Sequence, residues 1–460
     1  MDILDIVKNI NTVLWGLPIM GILASFGIIS TIYFGFPQFR KLPSEIKHIF
    51  SSNSKERKEG TMSSLQSLTT AIAAQVGTGN IGGISTAILS GGPGSVFWMW
   101  VLSILGMSTI SVEAILAQKF RTRKDGELVG GPAYYISEGF KLKNLSSLGL
   151  VFSSLFAILI VIALGMIGNM VQANSITESI KRAYGLSPVI IGIFISIIAA
   201  LIFSGGMSRI SRFTEFIVPI MAFIYIIGSI IVLFIYRENI GPVFKSIFKS
   251  AFSYSSFMGG TIGYTVKQAM RYGIARGLFS NEAGMGSTPN SHAVADVEHP
   301  AKQGFVAMFG VLATLIICTM TALVVLVTEA NFSGEEGVGI AMYAFNSAFG
   351  MIGQKFLSVA ITFFAFSTII GWYYFGEINI KFLFKSKASI SLYRIFVFGS
   401  LLVGSMMRVE LVWQLSDLFN ALMIIPNIVG LYILLPDAKN IYDDYLLKRQ
   451  MGNVYFDYKE

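Results

Sequence analysis

Gln75-Val76-Gly77-Thr78-Gly79-Asn80 lies inside an apolar run long enough to cross a bilayer, yet it makes poor helix. Glycines bracket the β-branched Thr78, and each glycine costs about 1 kcal/mol relative to alanine in a helix interior. Unwinding there frees backbone N–H and C=O groups that hydrocarbon cannot satisfy. Such backbone survives at membrane depth only where it is buried in protein or lines a wet cavity. A second stretch of this kind, Phe279-Ser280-Asn281-Glu282-Ala283-Gly284, stands far downstream. Two interrupted segments, one in each half, predict a transport fold built from inverted repeats.

Composition agrees with a membrane setting. Of the 460 residues, 53% are hydrophobic and 13% charged. A soluble protein carries roughly 25% charged residues, so too little polar surface is present to coat a soluble fold. The class is an all-α polytopic membrane protein with the lipid bilayer as its first partner. The net charge of +8 does not point to nucleic acid, because the basic residues cluster in short loops between apolar runs. Cys318 is the only cysteine, which excludes a disulfide framework and a cysteine metal site. The acidic opening Met1-Asp2-Ile3-Leu4-Asp5 and the lack of a small-residue cleavage site predict a retained first helix, not a signal peptide.

Hydropathy predicts about eleven transmembrane helices, over residues 12–36, 65–89, 96–118, 148–178, 187–205, 213–236, 258–290, 304–328, 352–378, 390–407 and 412–435. The densest basic loop follows the first, with Arg40, Lys41, Lys47, Lys55, Arg57 and Lys58. That puts the N-terminus outside and, after an odd number of crossings, the C-terminus in the cytoplasm. Gly130-Gly131-Pro132-Ala133-Tyr134-Tyr135 reads as an amphipathic cytoplasmic segment. Residues 241–256 are too polar to span and are expected along the outer surface, with 338–349 a short helix over a cavity. Setting the first span aside leaves two sets of five that enter from opposite sides, each opening on its broken helix. The division is then 1–62 (extra helix and basic loop), 63–240 (first repeat), 241–437 (second repeat) and 438–460 (tail).

At the first break, free N–H groups of Thr78, Gly79 and Asn80 with a helix N-terminus behind them suit an anion such as a carboxylate. The carbonyls of Ala73, Ala74 and Val76 suit a hard cation or an ammonium group. Close packing of glycines between helices is the alternative. At the second break, Ser280 and Asn281 can offer hydroxyl and amide groups. Glu282 is either a proton- or ion-bearing group or a structural partner for Arg271, Arg276 or a helix N-terminus. Gln172, beside Asn169 and Asn174, can donate to a carboxylate or bond across to another helix. Ser367 and Thr368 bring hydroxyls suited to Na⁺ unless they bond back to their own helix. Trp372, one turn on, can wall a small pocket. Glu113, Glu215 and Glu377 fall near span ends and are expected in interfacial salt bridges. His48, His292 and His299 lack metal-ligand spacing, and no nucleophile motif, Walker-type loop or hydrolytic carboxylate pair is present, so no enzyme is predicted.

Several motifs together resemble the alanine or glycine:cation symporter family. They are Gly77-Thr78-Gly79-Asn80-Ile81, Gly91-Gly92-Pro93-Gly94 with Phe97-Trp98-Met99-Trp100, Gly168-Asn169-Met170-Val171-Gln172, Arg276-Gly277-Leu278-Phe279-Ser280-Asn281-Glu282-Ala283-Gly284, and Gly371-Trp372 with Gly376-Glu377. The resemblance implies a leucine-transporter-like five-plus-five inverted repeat preceded by one extra helix. It implies sodium-driven uptake of alanine or glycine, with sodium a co-transported ion and no cofactor. It implies that the substrate carboxylate sits on the amides near Thr78 and Gly79 with Gln172 nearby. The amino group would then meet opened backbone around Phe279 and Ser280, with Asn281 close by and Trp372 limiting pocket size. The implied sodium site uses the carbonyls of Ala73 and Val76 and the hydroxyls of Ser367 and Thr368. A proton-coupled carrier using Glu282 is the alternative, and an ion channel a more distant one. No obligate protein partner is evident.

Overall fold

The computed structural model describes residues 3–49, 61–124, 126–252, 265–384, 386–452 and 454–458. Lys55, Arg57 and Lys58 of the basic loop, and residues 253–264 at the junction of two expected segments, lie outside the described residues.

The chain opens with α1 (Ile3–Leu14) and α2 (Leu17–Tyr33), so the first crossing starts well before residue 12. Pro18 sits in the first turn of α2, where its missing N–H costs nothing. Two short helices, α3 (Pro37–Arg40) and α4 (Leu42–Ile49), follow. The first interrupted segment is α5 (Ser64–Gln75), a 3₁₀ turn at Thr78–Asn80, and α6 (Gly82–Gly91). The start of α5 is fixed by a capping box between Ser63 and Gln66. α7 (Gly94–Lys119) then returns across the bundle.

Between α7 and α8 (Pro132–Leu142) the chain forms a small antiparallel hairpin, β1 (Thr122–Lys124) and β2 (Glu127–Val129), with Thr122 opposite Val129. The expected amphipathic segment is therefore the start of α8, and much of it is buried, including Tyr134 and Tyr135. α9 (Ser146–Ile160), a π-helical stretch at Val161–Gly168 and α10 (Asn169–Tyr184) form one continuous rod. α11 (Pro188–Phe203) and α12 (Gly206–Ile235) follow, and α13 (Arg237–Phe252) runs across the expected boundary at residue 240.

The second half begins with α14 (Val266–Asn281), which stops at Glu282, and the single turn α15 (Pro289–His292). α16 (Pro300–Val327), α17 (Val338–Phe349), α18 (Met351–Leu383), α19 (Lys387–Met406) and α20 (Val409–Gln450) follow. Among the described residues, eight helical stretches are long and apolar enough to cross a membrane. α11 and the two interrupted segments are the further three that a total of eleven requires. α7 packs against both α14 and α16, while α18 packs against α5 and α10. The two breaks thus face each other across the middle of the bundle.

Candidate functional site

The first break has no slack. Gly77 N donates to Asn80 Oδ1 at 3.0 Å and Asn80 N donates to Gly77 O at 3.2 Å, so the loop closes on itself. Thr78 N donates to Gln172 Oε1 at 3.1 Å. The amides of Thr78 and Asn80, expected to be free, are therefore already bonded. Because Gln172 must present its oxygen to Thr78, its Nε2 is the end left over, and that atom is buried with no partner. Thr78 Oγ1 is orphaned in the same way.

The second break meets the first directly. A Cβ on Gly79 would stand 2.6 Å from Phe279 Cδ1 and 3.2 Å from Ser280 Oγ, so only glycine lets the two segments approach this closely. Ser280 Oγ is buried with no hydrogen-bond partner other than the neighbouring thiol of Cys318. Cys318 in turn takes a bond from Asn80 Nδ2 at 3.2 Å. Phe279 is held edge-on to Trp372, with centroids 5.6 Å apart, and leans on Trp413 at 5.1 Å. Thr78, Gly79, Gln172, Phe279, Ser280 and Trp372 therefore converge. Asn281 does not offer itself to this space. Its Nδ2 bonds Ser103 Oγ (3.0 Å), its Oδ1 takes Ala283 N (3.0 Å) and its carbonyl takes Gln75 Nε2 (2.7 Å), all of which hold the hinge.

Beside the first break, Thr368 Oγ1 lies 2.8 Å from Ala73 O and Ser367 Oγ lies 3.4 Å from it. Both hydroxyls also bond back to Phe364 O within their own helix. Val76 is fully buried at the end of α5. Oxygen ligands are what a hard cation requires.

Glu282 departs from both expectations made for its arginines. Arg276 instead grips Asp417 through two bonds, of 2.5 and 2.8 Å, and lies over the Trp413 ring. Arg271 reaches Thr12. Glu282 accepts from Trp372 Nε1 at 2.7 Å and from the hydroxyl of Ser287. Glu113 is likewise not in a salt bridge. It is wholly buried in α7, where it accepts from Asn427 Nδ2 (2.6 Å) and Gly284 N (3.2 Å), replacing bonds lost by the unwound chain after α14. Glu215 accepts from the Gln66 amide at 2.9 Å, and Glu377 does pair, with Lys381 at 3.1 Å and Arg394 at 3.7 Å. Cys318 and Glu113 are thus part of the framework of the breaks, which sequence reasoning missed, as it missed the bonding role of the Asn80 side chain; a polar or acidic residue inside an apolar run was the one available signal.

Outside the breaks, a cavity of about 430 Å³ is lined by Lys8, Thr86, Arg271, Arg276, Glu336 and Trp413 among others. Trp413, which lines it, touches Phe279 of the second break. At the opposite end the linker after α15 is tied down: Met62 N bonds Val294 O, and Gln118 Nε2 bonds the carbonyls of His292, Ala293 and Ala295.

Residues 1–458 match the profile of the sodium:alanine symporter family. The chain is 39% identical over 440 residues to the sodium/alanine symporter AgcS of Methanococcus maripaludis, covering 94% of this chain and 95% of that one. It is 37% identical over 457 residues to the probable sodium/glutamine symporter GlnT of Bacillus subtilis, covering 99% and 93%. Its fold resembles that of MhsT solved in complex with L-phenylalanine, with a TM-score of 0.56 at 14% identity over 84% of this chain and 99% of the other.

Proposed function

The chain belongs to the sodium:alanine symporter family, and from that premise we propose that it imports alanine and glycine on the sodium gradient by alternating access. It is a multi-pass membrane protein, a sodium-coupled amino-acid symporter and not an enzyme. The observation that carries the finer statement is a pair of buried, orphaned polar atoms at the meeting of the breaks, Thr78 Oγ1 and Gln172 Nε2, beside Ser280 Oγ, whose one partner is the weakly bonding Cys318 thiol. Leaving such a group unpaired costs about 1–3 kcal/mol, and a small zwitterion satisfies all three.

In this proposal the carboxylate lies by Thr78 and Gly79 with Gln172 Nε2 donating to it. The ammonium group meets Ser280 and the opened backbone at Phe279, near Asn281. Phe279 and Trp372, 5.6 Å apart edge to face, wall the side-chain end and limit its size. Sodium takes the carbonyls of Ala73 and Val76 with the hydroxyls of Ser367 and Thr368. The 430 Å³ cavity is the outer approach, and the tied linker after α15 is the closed inner side, with the N-terminus out and the C-terminus in. The two five-helix sets, 63–240 and 241–437, rock about this point. Each ligand favours the same conformations, which is what couples them.

Uptake of radiolabelled alanine and glycine into proteoliposomes, with and without an inward sodium gradient, tests the proposal. Glutamine should be tried as a competitor, since one relative carries that name. Accumulation is expected only with sodium. Transport that ignores sodium and follows a proton gradient would favour the proton-coupled alternative.

A further inference from the structure

We propose that Glu282 is the positioning residue for Trp372, and that their contact sets how large an amino-acid side chain the site admits. The proposal rests on the transport function above.

Glu282 occupies an unusual place. It ends α14 in the left-handed region, with φ of 57°, a conformation uncommon for a residue with a side chain. It is wholly buried. The arginines of its own helix are engaged elsewhere, Arg276 with Asp417 and Arg271 with Thr12. Its Oε1 accepts from the Trp372 indole at 2.7 Å, while Oε2 accepts from Ser287. A carboxylate that takes an N–H in this way fixes direction as well as distance.

The indole is held on its other sides too. Phe279 meets it at 89°, and the end of the π-helical stretch presses against it, since a Cβ on Gly168 would stand 2.6 Å from Trp372 Cζ3. The bond to Glu282 is the one polar contact that fixes the direction of the indole N–H among the described residues. Loss of that acceptor leaves a buried indole N–H unsatisfied and frees the ring to tilt away from Phe279. Trp372 is also one helical turn beyond Thr368 on α18. Glu282 therefore ties the hinge of α14 to the helix that carries the proposed sodium hydroxyls.

Three variants test this: Glu282→Gln, Glu282→Ala and Trp372→Phe, each reconstituted alongside the wild type. Gln keeps an oxygen for the indole, so Glu282→Gln should hold the alanine KM within about threefold. Glu282→Ala should raise it about tenfold or more, with serine, valine and glutamine becoming effective competitors. Trp372→Phe should widen selectivity similarly, and combining it with Glu282→Ala should add little. Equal damage from Gln and Ala would overturn the positioning role and assign the charge or its proton the work instead. So would an Ala variant that still rejects larger side chains. If Glu282→Ala fails to fold, Glu282→Asp takes its place: its carboxylate keeps the charge but stands one methylene short of the indole, so the same loss of selectivity is expected, and wild-type selectivity would overturn the positioning role. The indole hydrogen-bond marker in resonance Raman spectra, read as a difference against Trp372→Phe, needs no transport: it should persist in Gln and vanish in Ala, and its absence in the wild type overturns the contact. Failure of wild-type alanine uptake, by contrast, would count against the proposed function and leave that spectroscopic result standing.

Discussion

The hydroxyl of Thr368 lies 2.8 Å from the carbonyl oxygen of Ala73, stitching α18 to the last turn of α5 just before the chain unwinds. A hydroxyl can turn its hydrogen aside and present a lone pair, so the same two oxygens can hold a cation between them. Thr368→Ala should raise the sodium concentration for half-maximal uptake about tenfold or more, the effect of losing one ligand worth roughly 1–3 kcal/mol. Ser367→Ala should do less, because its oxygen lies 3.4 Å from Ala73 O and is bonded to Phe364 O at 2.9 Å. Sodium titrations of alanine uptake read both. An unchanged titration in Thr368→Ala would remove this residue from the sodium site.

Gly79 separates the role of the breaks from general stability. A methyl group there collides with Phe279 at 2.6 Å, and both partners belong to the proposed substrate site. Gly79→Ala should abolish alanine binding while costing about 1–3 kcal/mol of stability, the usual cost of overpacking. Calorimetric titration with alanine, paired with a melting curve, distinguishes the two effects. Retention of wild-type affinity would show that the breaks need not touch for binding.

Much of this architecture is legible in the sequence because its signals are local. Gly77 and Gly79 within an apolar run mark the first break, and the polar run Ser280-Asn281-Glu282 marks the second. The leucine-transporter-like fold and the family follow from motifs along the whole chain. What stayed hidden depends on tertiary contact. Asn80 and Cys318 lie 238 positions apart, and nothing in either segment announces that they meet. Glu113 looked interfacial because hydropathy locates span ends, yet the unwound chain at Gly284 folds back onto it. The hairpin at Thr122–Val129 is too short for its alternation to register. The π-helical stretch is uniformly apolar, so its altered winding leaves no trace in the pattern.

The Arg276–Asp417 pair supports a stability prediction. Both groups are nearly buried, the guanidinium also lies 4.8 Å over the Trp413 ring, and Arg276 lines the 430 Å³ cavity. Removing one partner strands the other charge, at a cost of about 3–5 kcal/mol. Arg276→Met and Asp417→Leu should each lower the melting temperature markedly. The double variant should recover much of the loss, because no charge is then left unpaired. Thermal unfolding in detergent checks this, and additive losses in the double variant would mean that the pair is not energetically coupled.

His299 predicts how stability responds to pH. It caps α16, with Nδ1 accepting from Ala301 N at 3.2 Å and Nε2 3.1 Å from Asp444 Oδ2. That pattern requires the neutral ring, with its proton on Nε2. Protonation would set a second N–H on Nδ1 against the Ala301 amide. Burial among Tyr445 and Phe456 pushes the pKa below the ordinary 6.5, with Lys448 and Lys302 acting in the same direction and Asp444 opposing them. A histidine with a lowered folded pKa binds fewer protons folded than unfolded. Its contribution is then complete above about pH 6.5 and is lost as pH falls from there toward the folded value. His299→Asn keeps a cap acceptor but does not titrate. The wild type should lose melting temperature between about pH 7.5 and about pH 5, and His299→Asn should lose less. Parallel pH profiles for the two proteins would show that the ring does not carry this dependence.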